Sequence, residues 1–82
     1  MSAEAGLSAY PVEVFVPLLN RGTGAVRPTQ GLALAPNQIE VFAAPDYDPT
    51  IEEWAFPPGS TVTCTTELRG GRQLLVARHR IA

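Results

Sequence analysis

Asp46, Asp48, Glu52 and Glu53 lie within eight consecutive residues, at the spacing Asp-x-Asp-x-x-x-Glu-Glu. Carboxylates this close could hold a hard cation through oxygen ligands. A calcium loop needs a glycine at its tight turn, and Ile51 stands at that offset. It also needs flanking helices, of which the sequence carries no sign. The spacing therefore gives no reason to expect a metal. A solvated acidic loop is the plainer reading, or one paired with the chain's own arginines. A third reading, preferred over a metal, is a negative surface for a basic partner.

The same stretch, Asp46 to Gly59, also carries Tyr47, Trp54 and Phe56, three prolines and no positive charge. Long irregular connections inside small domains are usually functional or disordered. Three aromatic anchors favour an ordered one. Aromatic rings dominate protein contacts, but they also pin loops, each burying on the order of 150–250 Å². Pinning suits at least one of Trp54 and Phe56. Tyr47, between two aspartates, is the better candidate for exposure. The contact set expected for a protein partner is Asp46, Tyr47, Asp48, Glu52, Glu53 and Trp54.

Arg69, Arg72, Arg78 and Arg80, with His79, make a basic C-terminal segment. These arginines could meet phosphates. No aromatics interleave them, and single-strand binders usually stack bases on such rings. Solubilising charge beside a turn, or a complement to the acidic loop of a second copy, is the favoured reading. Cys64 is the single cysteine and His79 the single histidine. A Cys–His pair would be one route to nucleophilic catalysis, but two residues without a motif do not define a site. The alternation around Cys64 makes it a buried apolar thiol. No enzyme activity and no cofactor is expected.

Composition limits the rest. The chain has 82 residues, 45% hydrophobic, 17% charged, with a net charge of −2. That is one domain, too apolar for a disordered chain and lean in charge. Its modest core leaves room for a partner or a second copy to add stability. All six cations are arginine, a residue suited to planar carboxylate recognition. A negative balance argues against duplex DNA. One cysteine permits no internal disulfide, and no apolar run reaches membrane-spanning length. Residues 1–9 lack the basic and apolar regions of a signal peptide and are expected to form a flexible tail. A cytoplasmic location fits.

Strands must position these groups. Val12 to Leu19 alternates, with Val12, Val14, Val16 and Leu18 on one face, and Pro17 suits an edge or a bulge. A turn cluster at 20–24 precedes an extended segment, 26–35, where Gly31 suggests a bulge or sharp bend. Ile39, Val41 and Ala43 mark a third strand. Thr61 to Leu68 is a fourth, with Val62, Cys64, Thr66 and Leu68 on one face. Gly70-Gly71 is a two-residue hairpin turn, and Gln73 to Ile81 the last strand. At most one turn of helix is expected, around Thr50 to Trp54. Five short strands predict an all-β fold over 10–82: a small SH3-like barrel or a strongly bent antiparallel sheet.

The run Val14-Phe15-Val16-Pro17-Leu18-Leu19, then Gly22-Thr23, Arg27-Pro28-Thr29 and Asp46-Tyr47-Asp48-Pro49…Glu52-Glu53-Trp54-Ala55-Phe56-Pro57-Pro58-Gly59, resembles a group of small uncharacterised bacterial proteins. The likeness covers roughly residues 12 to 64, most of a domain of this size. Val26 stands where that pattern has an aromatic, so no stacking role carries over. The resemblance implies a compact cytoplasmic β domain and brings no activity. The Pro58-Gly59 entry into a strand is similar to that of SH3-like barrels, which mostly bind proteins or nucleic acids, a fold-level likeness.

These readings lead to a non-catalytic interaction module that uses its acidic loop on a protein partner or a second copy. The alternative is a nucleic-acid-associated SH3-like domain that uses Arg69, Arg72, Arg78 and Arg80.

Overall fold

A computed structural model describes residues 9–82. The expected N-terminal tail lies outside these residues except for Ala9. Five strands follow in order: β1 (Tyr10–Pro17), β2 (Val26–Ala35), β3 (Gln38–Val41), β4 (Thr61–Arg69) and β5 (Arg72–Arg80). Each pairs antiparallel with the next. Five strands in such a meander leave the first and last running the same way. Closure is accordingly parallel, through the register pair Phe15–Val76, and the sheet forms a closed barrel. The fold is all-β, as the period-two patterning requires.

The alternation fills the barrel as expected on β1, on β3 and at the start of β4, but on β2 it is Thr29, Gly31 and Ala33 that are buried while Leu34 is exposed, as is Leu68 at the end of β4. Val14, Val16, Ile39, Val41, Val62, Cys64 and Ala77 are buried together with Trp54. A second cluster of Phe15, Leu74 and Val76, with Val26 against it, uses the opposite parity of β1 and β5. Arg69 Nη1 donates to Gly24 O at 2.6 Å, tying the β4–β5 hairpin to the β1–β2 turn. Gly70 (φ 57°) and Gly71 (φ 80°) supply the positive angles of the expected two-residue turn.

Three local expectations are corrected. First, of the bulge or sharp bend expected at Gly31, the bulge is absent. Register runs through it unbroken from β1, and the shift on β2 lies between Ala33 and Ala35. Gly31 is needed for close approach: a Cβ there would meet Ile39 Cγ2 at 2.7 Å and Glu40 O at 2.9 Å. Second, β4–β5 is less regular than its alternation suggests. Thr63 pairs with His79 but Cys64 with Ala77, which leaves Arg78 as an extra residue on β5. Third, the turn expected around Thr50 to Trp54 starts earlier, with the Ile51 and Glu52 amides both donating to Asp48 O at 3.0 Å.

Candidate functional site

The 42–60 connection is laid on the end of β1 as an extra strand segment. Leu18 bridges Trp54 antiparallel. The Leu19 amide donates to Glu53 O at 2.7 Å, and the Ala55 amide to Pro17 O at 2.9 Å. Pro17 therefore stands at an edge that the loop itself covers. With its backbone held this way, Trp54 turns its ring into the barrel core and is 3% exposed. Tyr47 is half-buried against it, with ring centroids 4.7 Å apart in an edge-to-face arrangement. Phe56 packs on the same core.

The carboxylates are largely spoken for. Arg27, on β2, pairs with Asp46 and lies 3.5 Å (Nε) from Glu52 Oε1. Glu52 Oε1 also accepts from Trp54 Nε1 at 3.3 Å. The guanidinium lowers the Asp46 pKa, chiefly through its hydrogen bond. Asp48 accepts from the Thr50 hydroxyl at 2.6 Å and the Thr50 amide at 2.9 Å, which lowers its pKa as well. Glu53 is exposed, and only its backbone is bonded, to the Asn20 side chain at 3.0 Å. Asn20 Nδ2 and Arg21 Nη2 both donate to Ile51 O, at 3.0 and 3.2 Å. Among the described residues, no group of three or more His, Cys, Asp or Glu side chains is arranged to hold a metal.

The six expected contact residues thus divide. Trp54 is an internal anchor, and Tyr47, expected to be the more exposed ring, is half-hidden on it. Asp46 and Glu52 share one arginine, and Asp48 closes a turn. Glu53 remains outward. The sequence reading missed two exposed apolar neighbours. Leu19 is 62% exposed and Ile51 57%, and Asn20, which follows Leu19, donates its side-chain amide to Ile51 O across 31 residues. Their apolar type alone gave no signal of exposure.

The arginine segment divides too. Arg78 forks onto Glu67, with Nε to Oε2 at 2.6 Å and Nη2 to Oε1 at 2.7 Å. Arg69 reaches the same carboxylate at 3.1 Å. With a further bond from Thr65, these donors hold Glu67 at a pKa of about 2. Arg72 and Arg80 are exposed. Cys64 faces the barrel interior, and burial pushes its thiol up to about 11. His79 is exposed, opposite Thr63 rather than Cys64. Consecutive residues of a strand point to opposite faces, so the two do not form a nucleophile–base pair.

A cavity of about 330 Å³ opens at the other end of β1, lined by Tyr10, Val12, Ile39, Cys64, Thr66 and Leu75 among others. Nothing in the sequence marked it, because barrel closure assembles it from all five strands. Among the described residues, no helix is long and apolar enough to cross a membrane. Fold and loop together define a small closed β-barrel carrying an anchored acidic loop. No family model, curated protein or solved structure matches the chain.

Proposed function

We propose that the protein is a non-catalytic, cytoplasmic interaction module whose acidic loop meets a protein partner. One observation carries this reading. Ile51, on a loop fixed by backbone bonds and a buried tryptophan, and Leu19, just past the end of β1 where that loop is bonded, are each more than half exposed, with the exposed carboxylate of Glu53 on the same loop segment. Interfaces combine an apolar centre with a polar rim, and a loop already ordered loses little entropy on binding. The complementary surface is apolar with a basic margin.

The test uses Ile51→Ser with Glu53→Arg. Neither side chain makes an internal bond described above, so the fold should stand. Reversing Asp46 would instead disturb Arg27. Affinity capture from the cells where the protein is native should retain a partner with the parent chain and lose it with the double variant. Equal capture by both chains rejects the loop as the contact surface.

The nucleic-acid alternative rests on Arg72 and Arg80, because Glu67 engages Arg69 and Arg78. It requires a complex that weakens steeply with salt and with Arg72→Glu plus Arg80→Glu.

A further inference from the structure

The edge of β1 that faces away from β2 has three sectors. Its C-terminal sector is covered by Glu53-Trp54-Ala55. Its middle meets β5 at Phe15–Val76, where the ladder is one pair long. Its N-terminal sector, Tyr10 to Glu13, has no partner on that side among the strand pairings of the described residues.

Alternation fixes which groups that sector presents. The Leu18 amide points to β2, bonding Ala25 O, whereas Pro17 O and the Leu19 amide point to the loop. Odd-numbered residues therefore face the seam, and there Pro11 offers a carbonyl and Glu13 both an amide and a carbonyl. Directly inside lies the 330 Å³ cavity, with Tyr10 and Val12 on one wall and Thr66 and Leu75 on the other. None of its lining side chains is charged.

The two ends of β1 are thus built alike. At one end, the chain's own extended segment lies on the edge and drops an aromatic side chain into the barrel. At the other, among the described residues, the edge is unpaired and an apolar hole lies beside it. We infer that this N-terminal seam is a second binding site, which takes an extended peptide whose large uncharged apolar side chain enters the cavity. Strand addition supplies backbone bonds, and the pocket supplies side-chain selection. The volume is at the lower end for ligand pockets, which suits one anchor residue with its neighbours. The site is independent of the acidic loop, so either can fail without the other.

A terminally blocked peptide Thr-Val-Trp-Val-Thr is a suitable probe, titrated into the ¹⁵N-labelled full chain and followed by amide chemical shifts. Shifts are expected at Tyr10, Val12, Glu13, Asn37, Thr66 and Leu75, and not at 46–53. Replacing the probe's Trp by Gly should abolish them. N-methylation on the amides of one register should abolish them too, and on the other register spare them, with the protein untouched. Thr66→Trp, at the exposed rim, should block binding by tenfold or more without lowering the melting temperature. No shifts at these residues overturns the inference. So does free indole binding as tightly as the peptide, which would mark the cavity as a small-molecule pocket.

Discussion

Trp54 is the largest side chain in the buried core. It is a core residue delivered by a loop, and it holds Glu52 by its indole N–H and Tyr47 by its ring edge. Trp54→Ala should cost about 3–5 kcal/mol, the range for emptying a buried aromatic site. Small domains have only about 5–15 kcal/mol in total. Urea titration of parent and variant checks this, and an unchanged midpoint would put the ring outside the core. Glu67 makes a second prediction. Its carboxyl is lowered from the ordinary 4.5 to about 2, so the folded state binds that proton less readily than the unfolded chain. The stabilisation is fully present above about pH 4.5 and is lost as pH falls towards 2. Glu67→Gln should flatten melting temperature against pH over that window. High salt should shrink the difference, because the group is partly exposed.

At the scale of elements, Gly31 leaves no room for a Cβ between β1 and β3. Gly31→Ala pushes a methyl against the Glu40 carbonyl and Ile39. An overpacked core of this kind costs about 1–3 kcal/mol, read as a lower denaturation midpoint with the same cooperativity. That residue also marks how far the sequence could be read. Strand existence was legible, and so were the faces of β1, β3 and the start of β4, because Val14/Val16, Ile39/Val41 and Val62/Cys64 alternate and nothing in the chain keeps a helical period. The face of β2 was not, since Thr29 and Ala33 are buried there while Leu34 is exposed. The reason for Gly31 was not, since a bulge and a close approach look alike until the partner strand is known. Likewise, the Arg27–Asp46–Glu52 cluster joins residues 19 and 25 positions apart, which only barrel closure brings together. The loop's aromatic anchors were foreseen as a group, and which ring faced inward followed from the Leu18–Trp54 bridge. The cavity beneath Tyr10 had no signature at all, being made of ordinary strand residues.

For the whole molecule, charge among the described residues is paired in two clusters: Arg27 answers Asp46 and Glu52 of the loop, and Glu67 answers Arg69 and Arg78. A chain with 17% charged residues and Leu19 and Ile51 outward has an apolar surface better covered than wet, which fits a protein contact more closely than a phosphate backbone. The most direct measurement places a photo-crosslinking benzoylphenylalanine at position 51 in living cells, with position 72 at the β4–β5 hairpin as the comparison. The account predicts that irradiation joins position 51 to one protein of defined mass, or to a second copy of the chain, and leaves position 72 unjoined. Adducts to nucleic acid from position 72, with none to protein from position 51, would contradict it.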